Sequence, residues 1–324
     1  MHRWNSFDEA AQALTASGVS GTVVTIGNFD GVHLGHQVVL HRLLDEARAR
    51  DLPSIAITFD PHPREVLTPG SGPPQLMSLQ HRLTRLAELG LSGVAVIPFT
   101  LELAAWTPEH FVKSALVDAL RVRAVVVGPD TRFGHRNSGD VNTLRTLGTE
   151  WGFDVVVAEA IGEQRAYCST LIRERLAAGD VEGAAEVLGN DHSIEGVVVH
   201  GDHRGRELGF PTANLEPQPT GMIPADGVYA GWVEVLEQPA GQEPAEQQQR
   251  LPAAISVGTN PTFEGTQRRV EAYVLDRTDL DLYGALIRVT FTARLRPTLR
   301  FDGADALVAQ MQQDVAQAAA ILRA

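Results

Sequence analysis

The chain of 324 residues contains very few of the side chains on which common metal and phosphate sites depend. Its single cysteine, Cys168, excludes a disulfide framework and a four-cysteine metal centre. Its single lysine, Lys113, is not preceded by the glycine of a P-loop, which excludes that phosphate site. Because there is only one lysine, the other basic residues among the 27 are arginines. No strand-like run is followed by the GxGxxG pattern of a dinucleotide site. Any nucleotide site in this chain must therefore use neither of these two common solutions.

Long apolar runs and a net positive charge are also absent. No apolar stretch reaches the roughly 18 residues of a membrane span, and the first residues include Asp8 and Glu9 with no apolar core, unlike a secretory leader. The 40 acidic and 27 basic residues give a net charge of −13, which argues against a non-specific nucleic-acid binder or an anchor on an anionic membrane. We therefore expect a cytoplasmic protein with neither kind of partner. No sequence feature indicates an oligomeric state.

The chain has enough apolar residues for more than one folded core. Its 44% hydrophobic and 21% charged residues are typical of a globular protein, and at about 150 residues per domain the length indicates two domains. In the first half, β-branched apolar runs alternate with helical spacing, which predicts a parallel, Rossmann-like α/β sheet covered by helices on both sides. The predicted strands are 22–26, 54–59, 93–97, 124–127 and 153–157, and the predicted helices follow residue 36 and span 79–89, 108–120 and 169–188.

The pattern changes near residue 190. Beyond it the apolar runs alternate with polar residues and no helices intervene, which predicts a small antiparallel sheet or barrel followed by a helix over 305–322. The predicted strands are 194–199, 227–236, 253–257, 269–275 and 286–295. The polar segment 237–250 predicts a flexible hairpin loop. We therefore divide the chain into domains 1–189 and 190–324.

The first predicted strand and helix are joined by the sequence GNFDGVHLGH, residues 27–36. Parallel sheets bind ligands at such a junction, because the helix N-terminus offers free N–H groups and a positive dipole end to a phosphate. Gly27, Gly31 and Gly35 allow tight turns and a close approach. His33 and His36 could both donate hydrogen bonds to a departing pyrophosphate. The alternatives are that the histidine pair binds a metal, although no cysteine or third histidine has a supporting spacing, or that it stabilises a tight turn.

This segment resembles the HxGH motif of the nucleotidylyltransferase superfamily, in the form found in bacterial bifunctional riboflavin kinase/FMN adenylyltransferases (FAD synthetases). FDPHP at 59–63, VVVGPDTRFGHR at 125–136 and CSTLIR at 168–173 are similar to further blocks of that family, in order. The resemblance implies that His33 and His36 are catalytic. The nucleotide-binding residues that it implies in this half are Gly27, Asn28, Phe29, Asp30, Gly31, Gly35, His62, Asp130, Ser169, Thr170 and Arg173.

Each later block of this half also has a plainer interpretation. Ser169 and Thr170 are good N-cap residues, so they could begin an ordinary surface helix, and Arg173 one turn later could reach a triphosphate. His62, between two prolines, could be a turn residue. Asp130, at a strand end, could form an Asx turn.

The second half opens with HGDHRGRELGFPTANL, residues 200–215. Pro211 favours an extended conformation at Phe210, and in an extended segment Thr212 and Asn214 lie on the same face. A hydroxyl and an amide oxygen side by side are hard ligands suited to a Mg²⁺ ion that bridges ATP phosphates. The alternative is a barrel edge where both side chains only satisfy backbone groups.

This second block resembles the riboflavin kinase signature, whose Pro-Thr-Ala-Asn element holds Mg²⁺–ATP. Blocks at 226–233, 255–263, 270–276 and 281–284 and the tail 296–302 are similar to the family in order. The resemblance places the family's catalytic base on Glu271, which would take the proton of the ribityl 5′-hydroxyl as it attacks the γ-phosphate. The alternative is an outward-facing strand glutamate. The implied nucleotide-binding residues are Gly205, Arg206 and Pro211, and the implied Mg²⁺ ligands are Thr212 and Asn214.

The resemblance extends from about residue 22 to the last helix and implies two consecutive reactions. Riboflavin would be phosphorylated with ATP to FMN, and AMP from a second ATP would be transferred to FMN, giving FAD and pyrophosphate. The chain departs from the family at Thr131, where phenylalanine is usual, and at Cys168, where serine is usual and where we expect a small buried thiol. Two other hypotheses are a kinase whose adenylyltransferase half has decayed around Thr131, and a flavin-binding regulator without turnover.

Overall fold

The computed structural model describes residues 1–162, 165–201, 209–239, 250–259, 268–277 and 279–323. The chain forms two compact units, the first of Met1–Pro73 and Leu79–Cys168 and the second of Pro74–Ser78 and Ser169–Ala324. Gly205 and Arg206, and residues 240–249 of the predicted loop, lie outside the described residues.

A parallel sheet of six strands forms the centre of the first unit. The strands are β1 (His2–Trp4), β2 (Thr22–Ile26), β3 (Ser54–Phe59), β4 (Gly93–Ile97), β5 (Val122–Val127) and β6 (Asp154–Val157). Their order is β1-β4-β3-β2-β5-β6, and every neighbouring pair is parallel. The central strands β2, β3 and β4 are mainly apolar and are buried along almost their whole length, so the predicted sheet is confirmed. No prediction covered β1, whose three residues are too short to show a period.

Helices connect the strands of this sheet. They are α1 (Phe7–Ala16), α2 (Leu34–Arg50), α3 (Pro63–Leu67), α4 (Leu79–Glu88), α5 (Leu101–Ala104), α6 (Pro108–Phe111) and α7 (Val141–Trp151). The predicted helix over 108–120 is present, but after α6 it continues as π-helical turns over Val112–Ala119. Side-chain caps fix the first turns of α1 and α7, where Ser6 accepts from the backbone of Glu9 and Asp140 from that of Thr143.

The predicted helical segment 169–188 is divided into two helices, α8 (Ser169–Ala178) and α9 (Val181–Leu188). The break follows from Gly179, which has φ +78°, and from Asp180, whose side chain caps α9. Both helices pack in the second unit, where the Ala225 amide donates to the Leu176 carbonyl at 2.9 Å. The two compact units therefore meet in sequence between Cys168 and Ser169, about twenty residues before the predicted domain boundary near residue 190. That boundary stays a prediction.

The second unit is built on a closed antiparallel barrel. Its strands are β7 (His192–Val199), β8 (Ala213–Leu215), β9 (Gly227–Glu237), β10 (Leu251–Thr259), β11 (Arg268–Val274) and β12 (Leu286–Arg296), followed by the helix α10 (Ala304–Leu322). Their order around the barrel is β10-β11-β8-β7-β12-β9. Arg296 and Asp314 form an ion pair at 2.7 Å that fastens α10 to β12. The predicted barrel and final helix are confirmed.

Candidate active sites

The sheet of the first unit has a topological switch point between β2 and β5. From β2 the chain continues to β3 and β4 on one side, and it then returns to β5 and β6 on the other side. Crossover connections leave in opposite directions at such a point, so a crevice opens at the carboxyl ends of the two strands. The segment 27–36 follows β2, and Asp130 lies just beyond the end of β5. The predicted nucleotide-binding segment is thus at the crevice of this sheet.

The loop between β2 and α2 has an unusual backbone. Gly31 has φ +94°, and two residues with side chains, Phe29 and Val32, also have positive φ values of 50° and 41°. For a β-branched residue such as Val32 this conformation is strained. The Gln37 side chain donates to the Val32 carbonyl at 2.9 Å and helps to hold it. The glycines of this loop predicted the tight turn, but no feature of the sequence indicated the strain at Val32.

Gly35 is a point of close backbone approach. A Cβ atom at this position would lie 2.5 Å from the carbonyl oxygen of Tyr167 and 3.1 Å from the ring of His33. No real side chain tolerates the first of these distances. The segment that ends at Cys168 therefore crosses directly over the N-terminus of α2, and only glycine fits there.

His33 and His36 form a stacked pair at the start of α2. Their ring centroids are 3.6 Å apart, and His33 Nδ1 accepts a hydrogen bond from the His36 amide at 3.2 Å. This contact makes His33 the N-cap and occupies its Nδ1 as an acceptor, so the ring can donate only through Nε2. Burial lowers the pKa of His36 well below 6.5, and the charges of His33 and Arg82 lower it further. His36 is therefore neutral at physiological pH, and it can donate a hydrogen bond but does not supply a charge.

The turn after β3 contacts the same loop. The Nε2 atom of His62 lies 3.2 Å from the side-chain amide nitrogen of Asn28. Its Nδ1 atom caps α3 by accepting a hydrogen bond from the backbone amide of Arg64 at 3.1 Å. His62 is thus both a turn residue and a neighbour of the predicted nucleotide-binding loop. Asp130 is exposed in a turn closed by a hydrogen bond from the Thr131 amide to the Gly128 carbonyl at 3.3 Å.

Arg82 is a buried residue near this site that the sequence analysis missed. It lies on α4 with only 3% of its surface exposed. One feature of the sequence could have revealed it: Arg82 follows Leu79 by three residues and precedes Leu86 by four, which places it on the apolar face of the helix.

The predicted phosphate-contacting segment lies at the start of α8. Ser169, Thr170 and Arg173 belong to the second compact unit, and the Arg173 Nε donates to the carbonyl of Pro74 at 2.7 Å. Cys168 is a free thiol that is half-buried, whereas we expected a buried one.

In the barrel, strand register brings together the residues of the second predicted site. Glu271 on β11 lies directly opposite Asn214 on β8. The Thr212 hydroxyl lies 3.4 Å from Glu271 Oε2 and 3.2 Å from the amide nitrogen of Asn214. Glu271, which is far from the other two residues in sequence, therefore joins Thr212 and Asn214 in one half-buried polar cluster, and it is not a simple solvent-facing strand residue.

This cluster opens into a cavity of about 550 Å³, a size typical of ligand sites. Gly201 approaches the cluster so closely that a Cβ there would lie 2.6 Å from the Asn214 amide. Further polar residues line the cavity and were not predicted as site residues; they include Arg269, Arg277, Tyr283 and Arg296. No period or spacing indicates these residues, because the strands and loops that carry them meet only in the closed barrel.

The described ranges contain no group of three or more histidine, cysteine, aspartate or glutamate side chains arranged to hold a metal. The donors of the Thr212–Asn214–Glu271 cluster are instead a hydroxyl, an amide and one carboxylate, which suits Mg²⁺ rather than a transition metal. None of the helices in the described part of the chain combines the length and apolarity that a membrane span needs.

Comparisons with known proteins match both halves of the chain. A family model described as FAD synthetase matches residues 16–171, and one described as riboflavin kinase matches residues 188–322. A bifunctional riboflavin kinase/FMN adenylyltransferase of Escherichia coli strain K12 is 40% identical over 295 residues, which cover 91% of this chain and 90% of that protein. A protein of the same description from Pseudomonas fluorescens is 35% identical over 303 residues, 93% of each chain.

A solved structure agrees with the whole fold. A crystal structure from Streptococcus pneumoniae, described as a macrolide-efflux protein, has a TM-score of 0.80 and 31% identity over 91% of this chain and 92% of that one. This similarity supports the two-part architecture. The transport named in its description is not carried over, because the family models and the curated relatives agree with each other on a different activity.

Proposed function

Because the chain belongs to the bifunctional riboflavin kinase/FMN adenylyltransferase family, it makes FAD from riboflavin in two ATP-dependent steps, and we propose that the steps are divided between its two parts. Residues 1–189 transfer AMP to FMN and release pyrophosphate. Residues 190–324 phosphorylate riboflavin to FMN. The observation that carries this division is that each fold has its own polar cluster, the histidine pair of the parallel sheet and the Thr212–Asn214–Glu271 cluster of the barrel.

Adenylyl transfer depends on positioning and on charge stabilisation. A phosphate oxygen of FMN attacks the α-phosphorus of ATP, and the bond to the bridging oxygen of the β-phosphate breaks. We propose that His33 and His36 donate hydrogen bonds to the departing pyrophosphate from the helix N-terminus, whose dipole also favours negative charge. The low pKa of His36 supports a neutral donor. Gly27, Asn28, Phe29, Asp30, Gly31, Gly35, His62, Asp130, Ser169, Thr170 and Arg173 remain the proposed nucleotide-binding residues.

Riboflavin phosphorylation needs a base beside the attacking hydroxyl. We propose that Glu271 accepts the proton of the ribityl 5′-hydroxyl, since its carboxylate lines the cavity next to the Thr212 hydroxyl. Thr212 and Asn214 would hold Mg²⁺, which neutralises the charge of the ATP phosphates when bound. Pro211, Gly205 and Arg206 complete the proposed ATP site, and the latter two lie outside the described residues. A cytoplasmic location is part of this proposal, because both steps consume ATP.

The division is tested by removing one cluster at a time. In His33→Ala/His36→Ala, loss of both donors should reduce FAD formation from FMN by about 10³-fold, while riboflavin phosphorylation persists. Flavins are separated by chromatography after incubation with riboflavin or FMN, ATP and Mg²⁺. His41→Ala, which removes an exposed histidine of the same helix, is the matched control and should match the wild type.

The reciprocal variant is Glu271→Gln, which keeps the shape of the side chain but removes the base. Phosphorylation of riboflavin should fall by about 10³-fold, while added FMN is still converted to FAD. Glu237→Gln, at the exposed end of β9, is the control. Loss of both reactions in either variant, or of neither, contradicts the assignment of one reaction to each part. A wild-type chain that makes FMN but no FAD would instead favour a decayed adenylyltransferase half.

A further inference from the structure

Arg82 is a buried arginine with few partners. Its Nη1 donates to Thr58 Oγ1 at 3.3 Å and lies 3.5 Å from the Phe59 carbonyl, and its buried Nε has no hydrogen-bond partner among the residues that the structure describes. A guanidinium has five N–H donors, so burying it with so few acceptors is costly.

Thr58, the hydroxyl partner of Arg82, also contacts the loop of the first site. Thr58 is fully buried, accepts from Arg82 and donates to the backbone carbonyl of Asn28 at 3.0 Å. The Asn28 side chain in turn lies 3.2 Å from His62 Nε2. A continuous chain of polar contacts, Arg82–Thr58–Asn28–His62, thus joins α4 to the loop after β2 and to the turn after β3.

The charges around Arg82 belong to the same two loops. Burial lowers the pKa of Arg82, whereas Asp30 in the first loop and Asp60 in the turn raise it and so favour its charged form. Asp30 is itself only 3% exposed. The positive charge of Arg82 also contributes to the low pKa of His36. The charge of this buried cation therefore interacts electrostatically with two carboxylates and one histidine of the predicted catalytic segments.

We propose that Arg82 is a positioning residue for adenylyl transfer, which ties the end of β3 and the loop after β2 together through its contacts with the Phe59 carbonyl and with Thr58. It touches no reacting atom and acts on the loop that carries Asn28 and the histidine pair. The proposal rests on the assignment of adenylyl transfer to this site.

The expected consequence is kinetic, because the strained loop needs support to keep the reacting groups in register. A displacement of about 1 Å at a reacting centre can cost about 100-fold in rate. We therefore expect Arg82→Met to lower kcat for FMN adenylylation about 100-fold, with KM for ATP and FMN changed by no more than about threefold. Riboflavin phosphorylation by the same molecule should be unchanged.

Two further variants test the route of the effect. Arg82→Lys keeps the positive charge and a donating nitrogen but loses the planar fork, so it should restore kcat to within about tenfold of the wild type. Thr58→Val removes only the bridging hydroxyl and should lower kcat about tenfold. Because both residues act through one link, the double variant Arg82→Met/Thr58→Val should lose no more than Arg82→Met alone. If Arg82→Met does not accumulate as folded protein, the Lys and Val variants decide the question.

The control is Arg85→Met, which removes the arginine of the next turn of the same helix, where it pairs with Glu88 near the surface. Equal losses of melting temperature in Arg82→Met and Arg85→Met, with adenylylation per folded molecule intact in both, would overturn the proposal. So would a tenfold or greater rise in KM with unchanged kcat. If His33→Ala/His36→Ala leaves FAD formation intact, the site assignment fails; if that variant loses it while Arg82→Met does not, only the role of Arg82 fails.

Discussion

The predicted phosphate sites in the two parts of the chain are built from different chemical groups. In the parallel sheet the predicted site consists mainly of backbone and ring nitrogens, with His33 and Asp30 only 3% exposed, and a strained loop holds it. In the barrel the predicted site consists of side-chain oxygens, Thr212, Asn214 and Glu271, which line an open cavity. The first predicted site therefore depends on the close backbone geometry of one loop, and the second depends on the register of the strands that carry its side chains.

Each part also contains a histidine whose pKa is lowered by burial, His36 in the first and His192 in the second. The pH dependence of unfolding should show which of them contributes more to the loss of stability in acid. Burial lowers the pKa of His192, at the start of β7, from 6.5 to about 4. Between these values only the unfolded chain binds the proton, so the free energy of unfolding falls as the pH falls. The contribution of His192 reaches about 3 kcal/mol below pH 4. This is the largest effect that we expect on the stability of the chain.

The measurement is urea unfolding of the wild type and of His192→Gln at pH 7 and pH 4.5. Glutamine can still donate to the Met222 carbonyl, which His192 Nε2 contacts at 2.7 Å, but it does not titrate. We expect the variant to lose markedly less stability on acidification than the wild type. Parallel losses would mean that His36, whose pKa is also lowered, dominates the acid response and that the parallel sheet is the more acid-sensitive part.

Adding a single methyl group at Gly35 should impair the first reaction site and leave the second intact. In Gly35→Ala the added Cβ collides with the Tyr167 carbonyl, so the start of α2 or the segment above it must move. FMN adenylylation should fall about 100-fold, with riboflavin phosphorylation unchanged, as measured by flavin chromatography. Gly303→Ala, where an added Cβ meets no atom within 4 Å, should leave both rates intact. An active Gly35→Ala enzyme would remove the close approach as the basis of the first site.

The barrel site should instead respond to the loss of one oxygen. Thr212→Val removes a proposed Mg²⁺ ligand and a neighbour of Glu271 while keeping a similar shape. Riboflavin phosphorylation should fall about tenfold, the smallest of these effects, and more Mg²⁺ should be needed for half-maximal rate. Thr220→Val, at an exposed position of the same unit, is the control. An unchanged Mg²⁺ dependence would exclude Thr212 as a ligand.

Much of the fold could be predicted from local pattern. The strands β2, β3 and β4 agree with their predicted bounds, because buried parallel strands are continuous apolar runs between polar segments. The break between α8 and α9 was missed, although Gly179 and the capping residue Asp180 mark it locally. The π-helical turns after α6 have no simple sequence pattern.

The candidate sites were only partly predictable. Residues 27–36 were found because they lie between a clear strand and a clear helix. The family resemblance gave Glu271 and Asn214 roles in one reaction, but their pairing could not be predicted, since it depends on the register of two antiparallel strands distant in sequence. Arg82 was missed because an arginine in an amphipathic helix is ordinarily exposed.

The sequence by itself determined the two fold classes, the family and the exclusion of a P-loop, because these depend on local periodicity, composition and ordered motifs. Only the tertiary structure decided the strain at Val32, the approach of Tyr167 to Gly35, the pairing of Glu271 with Asn214 and the contacts of Arg82. Each of these depends on which residues meet across elements that are far apart in the chain. Such contacts are fixed by packing and register, which no single segment encodes.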